Sequence, residues 1–236
     1  SDPHRQGRSV IAVTFASGMK FAYKPRSLEL DCAWNDLLAW CNGHEPPLPF
    51  KTLRLLNRST HGWMEWAERQ SCTDEAAARR YYRRAGMLMG LLYLLGGADG
   101  HAENIIACDE HPLLIDAETL LHPSLQSDAE TPLGSVLHTG LLPAWWSNVP
   151  GGSHDVGGLG GQDGWATHYL DETTAGFSQL YAFVVKHRSE FLADVGPLSA
   201  LAGKTSRFVL RSTPAYDSLL KKLRQPACLR VGVDRS

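Results

Sequence analysis

Gly96-Gly97-Ala98-Asp99-Gly100-His101-Ala102-Glu103-Asn104-Ile105-Ile106, answered by Leu113-Leu114-Ile115-Asp116-Ala117-Glu118-Thr119, is the stretch on which the reading of this chain turns. Ile105 to Cys108 and Pro112 to Ile115 are short apolar runs around Asp109-Glu110-His111, the pattern of a small hairpin. If residue 108 faces 112, then Asn104 faces Asp116 at about 5 Å. At that separation the two side chains can share one hard cation through oxygen ligands. Asp99 lies upstream on a glycine-rich turn, free to reach a hydroxyl.

The order Asp, Asn, then Asp after a strand matches the catalytic and metal loops of protein-kinase-like phosphotransferases. Two other readings compete with it. Asp99 and Asn104 are also ordinary turn formers. His101-x-Glu103 could supply part of a facial metal triad, but its second His would have to come from elsewhere, and strand alternation turns Glu103 away from Asn104.

Upstream, residues 9–15 and 19–24 read as strands joined by Ala16-Ser17-Gly18, with Phe21 and Tyr23 on one face and Lys20, Ala22 and Lys24 on the other. Pro25 ends the second strand. Lys24 stands where a kinase-like fold keeps its phosphate-binding lysine, although a lone strand-end lysine is ordinarily solvated. Leu30, Ala33, Trp34, Leu37, Leu38 and Cys41 form a helical stripe over 28–42. Residues 51–57 and 62–67 read as further strands, the Trp63/Trp66 pair as core packing rather than a shelf for a purine, and 69–73 as a hinge. Thr73 is a capping residue for the longest helix, whose buried stripe is Tyr81, Ala85, Leu88, Leu92 and Leu95. Arg79, Arg80, Arg83 and Arg84 read as a solvated face, or else as a docking surface for an acidic peptide.

Downstream, residues 151–164 hold seven glycines within the segment 147–165, which therefore reads as mobile. Gly203-Lys204-Thr205 lacks the earlier glycine of a phosphate-binding loop, because position 198 is Leu. Residues 174–194 look helical, and 206–216 read as a strand, a turn and a helix start.

The totals narrow the classes. With 236 residues, 43% hydrophobic and 20% charged, the chain has the composition of a globular protein. Its net charge of −2 gives no footprint for nucleic acid. No apolar run approaches the roughly 20 residues of a membrane span. Five scattered cysteines (32, 41, 72, 108, 228), with no Cys-x-x-Cys pair, point to reduced thiols in a cytoplasmic setting and away from a zinc site.

Several segments together resemble the dehydratase domain of class II lanthipeptide synthetases. They are Asp2-x-His4-x-x-Gly7-Arg8-Ser9-Val10, Tyr23-Lys24-Pro25-Arg26-Ser27-Leu28, the 97–106 and 112–120 loops, Gly140-Leu141-Leu142-Pro143, and Arg207-Phe208-Val209-Leu210-Arg211-Ser212-Thr213. The resemblance spans nearly the whole chain in the family's order. It implies an α+β, protein-kinase-like (lipid-kinase-like) two-lobed fold: an N-lobe-like part over 1–72 with a truncated sheet, and a mainly helical C-lobe-like part over 73–236. The strands before Asp2 and the zinc-bearing cyclase domain of the full-length enzyme would be missing.

The implied activity is phosphorylation of Ser and Thr in a precursor peptide with ATP and Mg2+, followed by phosphate elimination to dehydroalanine or dehydrobutyrine. Carried over by residue, Lys24 holds the phosphates, Asp99 orients or deprotonates the peptide hydroxyl, and Asn104 with Asp116 holds magnesium. His101 and Glu118 match the family's active-site set. Asp2 and His4 match the segment that replaces a glycine-rich loop, and Arg207 and Thr213 match residues tied to elimination. Arg suits a departing phosphate through its bidentate fork, and Arg211 rivals Arg207 for that task. Gly100 stands where the family often has a larger residue, which would loosen the loop. The alternatives are a small-molecule kinase of the aminoglycoside or homoserine type and a non-catalytic peptide-binding remnant.

Overall fold

Alternation in Lys20–Lys24 builds the centre of the main sheet. In the computed structural model, which describes residues 8–122, 135–146, 154–159, 168–208 and 213–225, this segment is β2, hydrogen-bonded on both sides. β1 is Ile11–Thr14, β3 Leu55–Asn57 and β4 Gly62–Glu65, in the antiparallel order β1-β2-β4-β3. Left-handed Gly18 (φ 83°) closes the β1–β2 turn. Register aligns Ala22, Met64 and Leu55 across three strands, and all three join a small apolar cluster with Leu53, Cys108, Leu113 and Ile115. The sheet's inner face thus lies on a second hairpin, β5 (Ile105–Cys108) and β6 (His111–Leu114). Lys24 shares the inner face with Ala22.

The tryptophans depart from expectation. Trp63 stands on the outer face beside Tyr23, ring centroids 5.1 Å apart, and Trp66 is exposed with its Nε1 donating to Glu68. The strand's core residue is Met64, because Trp63 occupies the alternate, outward position.

Helix α1 (Glu29–Gly43) buries all six stripe residues. Helix α2 (Glu75–Leu94) is capped by Asp74, whose carboxylate accepts from Ala77 N at 2.7 Å, rather than by Thr73. It is the central helix, with thirteen of its 20 residues buried. Helix α3 (Leu170–Lys186) packs along it. Their backbones touch: a Cβ on Gly86 would sit 1.9 Å from Thr173 O, and one on Gly176 would sit 1.9 Å from Arg83 O. The helix expected over 174–194 starts earlier and divides at His187 into α3 and the short α4 (Arg188–Phe191).

All four α2 arginines are paired within the chain. Arg79 and Arg83 meet Glu172 at 3.5 and 2.6 Å, Arg79 also meets Glu75 at 2.7 Å, and Arg80 and Arg84 hold Glu110. Arg79 and Arg80 are exposed, as a solvated face requires, while Arg84 is buried, and the ion pairs that engage all four leave no open docking surface. Among the described residues Cys32, Cys41, Cys72 and Cys108 are free thiols, and burial pushes Cys41 up to about 12. No helix of the described residues is long and apolar enough to cross a membrane. Backbone contacts divide the chain into Ser1–Ser206 and Arg207–Ser236. The second unit contains α5 (Thr213–Leu223).

Candidate functional site

Left-handed Gly96 (φ 60°) turns the chain out of α2 and into the Asp99 loop. Gly100 N donates to Thr139 O at 2.8 Å, and a Cβ at Gly100 would lie 2.5 Å from that oxygen. Glycine here permits close packing and does not loosen the loop. The segment 154–159 closes the other side. Ala102 N donates to Val156 O at 3.1 Å, and Gly158 N and Leu159 N donate to Gly140 O and Leu141 O at 3.0 and 2.8 Å. Within the segment read as mobile, these residues are docked backbone to backbone. Gly157 and Gly158 allow it, since a Cβ on either would come within 2.2 Å or 2.0 Å of a carbonyl oxygen. The rest of 147–165 lies outside the described residues.

The hairpin register differs from the expected one by a single residue. Cys108 pairs with His111 across a two-residue turn at left-handed Asp109 (φ 52°) and Glu110. Asn104 therefore faces Ile115, whose N–H donates to Asn104 O at 2.9 Å, and Asp116 lies one position beyond. Asn104 Nδ2 donates to Asp99 O at 2.9 Å, which leaves Oδ1 as its ligand atom. Lys24 Nζ donates to the carbonyl of the same Ile115. Ile115 thus ties the Asp99–Asn104 loop to the strand lysine.

Around that junction lies a buried charge cluster. Lys24, read as the phosphate-binding lysine, is not solvated as a lone strand-end lysine would be: it is 4% exposed, with Nζ 3.8 Å from both Asp31 and Asp116. Arg26 Nη1 donates to Asp31 Oδ2 at 2.7 Å, Nη2 donates to Asp116 Oδ1 at 2.6 Å, and Nε lies 3.2 Å from Glu118. Burial alone would pull the Arg26 guanidinium below its ordinary pKa, but Asp31, Asp116 and Glu118 together raise it above. The guanidinium stays charged and fixes three carboxylates around itself. Glu118 N also donates to Asp116 Oδ1 at 3.2 Å, so Oδ2 is the oxygen turned toward Lys24. Asn104 Oδ1 and the Asp116 and Glu118 carboxylates are hard oxygen donors of the kind magnesium takes.

Arg26 and Asp31 received no role in the sequence reading. Asp31 carried a usable signal: it falls at i, i+3 and i+7 with Trp34 and Leu38, an acid on a helix's apolar face, where burial demands a partner. Arg26 had only its place after Pro25.

The remaining candidates fall as follows. Asp99 and His101 are partly exposed, with His101 Nε2 3.8 Å from Asp99 Oδ1. Glu103 is exposed, and among the described residues no three-ligand group contains His101. Asp2 and His4 lie outside the described residues, as does Arg211. Arg207 is exposed and opens the second unit, and Thr213 begins α5 there.

Two overlapping matches to the family model described as "Domain of unknown function (DUF4135)", over residues 1–167 and 165–236, cover the whole chain. The chain belongs to the DUF4135 family. This DUF4135 chain is also 25% identical, over an alignment of 279 residues, to the lacticin 481/lactococcin biosynthesis protein LcnDR2 of Lactococcus lactis subsp. lactis. That alignment takes in 93% of the chain and 30% of the relative, so the DUF4135 chain spans under a third of that protein's length. The likeness to class II lanthipeptide synthetases read from the motifs is borne out by these matches.

Proposed function

We propose that this chain is the kinase-like part of a lanthipeptide dehydratase, which phosphorylates Ser and Thr of a precursor peptide and then eliminates the phosphate. The observation that carries the reading is the junction at Ile115. A lysine at the end of a strand pairs with a helix carboxylate, Asp31, and meets the metal-loop Asp116 at 3.8 Å. A strand lysine paired to a helix acid beside a metal-binding aspartate is the working arrangement of kinase-like active sites, and it supports a two-lobed kinase-like fold. The relative's role in lacticin 481/lactococcin biosynthesis supports a peptide substrate.

In this reading ATP supplies the phosphoryl group and magnesium neutralises its charge. Lys24 would pair with the phosphates, Asn104 and Asp116 would hold magnesium, and Arg26 keeps the Asp116 carboxylate in place. Asp99 takes the proton of the Ser or Thr hydroxyl as its oxygen bonds to the γ-phosphorus and the bond to the departing ADP breaks, and His101 and Glu118 line the same site. In the second step a general base takes the α proton, its electron pair forms the carbon–carbon double bond, and the carbon–oxygen bond to phosphate breaks. Arg207 pairs with the departing phosphate, with Thr213, Asp2 and His4 assisting.

The test follows precursor-peptide mass in the full-length protein with ATP and magnesium. Wild type gives dehydrated peptide, each site lighter by one water, and Asp99→Ala gives unmodified peptide. Arg207→Ala gives peptide that gains and keeps phosphate, because an interaction used only in the second transition state slows only that step. Dehydration by Asp99→Ala at the wild-type rate would refute the proposal.

A further inference from the structure

The end of α1 and the short helix α4 bring three nitrogen and oxygen ligands together away from the charge cluster. His44 follows α1, while His187 and Glu190 lie three residues apart, on one face of a helical turn. One ligand atom from each falls within 4.8 Å of the others.

The hydrogen bonding calls for a cation. His44 Nδ1 lies 2.8 Å from Trp40 O, and a carbonyl can only accept, so the proton sits on Nδ1. In neutral His44 the Nε2 lone pair would then face Glu190 Oε2 at 3.0 Å, acceptor against acceptor. A positive charge must resolve that contact, either a second proton or a metal ion. The contact with the Trp40 carbonyl raises the His44 pKa, burial opposes it, and Glu190 adds to the rise. A proton would satisfy His44 and Glu190 but would leave His187 as it is, with a buried Nε2 that has no hydrogen-bond partner. A metal ion engages all three residues.

We propose that His44, His187 and Glu190 bind one zinc-class divalent ion that joins the end of α1 to α4. Imidazole and carboxylate suit zinc and its neighbours better than magnesium. Zinc bonds of about 2.0–2.2 Å place adjacent tetrahedral ligands about 3.4 Å apart, which small side-chain rotations reach from here. The Nδ1–carbonyl bond of His44 is the usual orienting partner of a metal-bound imidazole. Glu190, 63% exposed at its side chain, leaves the fourth position to water.

The test strips the full 236-residue chain with a chelator and titrates it with Zn2+, then with Co2+ as a spectroscopic probe. The expected result is one equivalent bound, a higher Tm, visible cobalt absorption, and no displacement by excess Mg2+. His187→Ala and Glu190→Gln each weaken binding by more than about tenfold, since ligands matter at least as much as their orienting partners. His187 packs on Phe183 and Trp40, so its variant could disturb folding. Glu190→Gln, at an exposed position, decides the matter. Absence of stoichiometric zinc, or unchanged affinity in Glu190→Gln, overturns the site.

Discussion

Arg26 shows what a single side chain does here. Its guanidinium meets Asp31, Asp116 and Glu118 within 2.6–3.2 Å and sits beside Lys24 in a place where water screens little. Arg26→Ala leaves three carboxylates around one remaining cation. Breaking a buried pair in this way costs about 3 kcal/mol or more, so Tm should fall by roughly 6 °C or more in thermal unfolding. Arg26→Lys should recover only part of the loss, because an ammonium cannot hold several carboxylates in one plane. A Tm for Arg26→Ala within about 2 °C of wild type would mean that the cluster is solvated in solution. The sequence concealed this group because its partners lie up to 92 residues away along the chain.

Among the elements, α2 was the most legible and its crossing with α3 the least. The stripe Tyr81, Ala85, Leu88, Leu92 and Leu95 is buried as read, since burial of one face imposes the helical period. What periodicity does not show is where a second backbone touches. Gly86→Ala improves intrinsic helix propensity by about 1 kcal/mol, yet its methyl would enter the Thr173 carbonyl. The clash should prevail, for a net loss of about 1–3 kcal/mol in urea unfolding. Gly43→Ala at the end of α1 meets nothing within 4 Å and should be neutral or slightly stabilising. Equal midpoint shifts for the two would discard the close crossing. Gly157 and Gly158 were misread on the same ambiguity, since glycine marks both loose chain and backbone contact. The β5–β6 register slipped because turn length, not apolar pattern, sets it, and left-handed Asp109 shortened the turn by one residue.

Across the whole molecule, the candidate site draws on parts distant in sequence: Lys24 from the sheet, Asp31 from α1, and Asp116 beyond the second hairpin. A ligand that engages Lys24 and Asp116 together must stabilise all of them at once. Magnesium–ATP at 100 times its Kd should add about 2.7 kcal/mol, a Tm rise of roughly 5–10 °C. Asp116→Asn should abolish the magnesium-dependent part of that rise, measured against the variant's own ligand-free Tm. An undiminished rise would remove Asp116 from the metal site. The motifs made Lys24 and Asp116 legible but not Asp31, and the packing of sheet on hairpin that unites them could be read only in three dimensions.

The double role of Ile115 has a consequence for how the site can be watched. Its amide proton is held by Asn104 and its carbonyl by Lys24, and neither bond involves the Ile115 side chain. Exchange of that one proton with deuterated solvent requires the hairpin to part from the Asp99 loop. Its exchange rate therefore reports how often the site opens in the resting protein, with no nucleotide or peptide present.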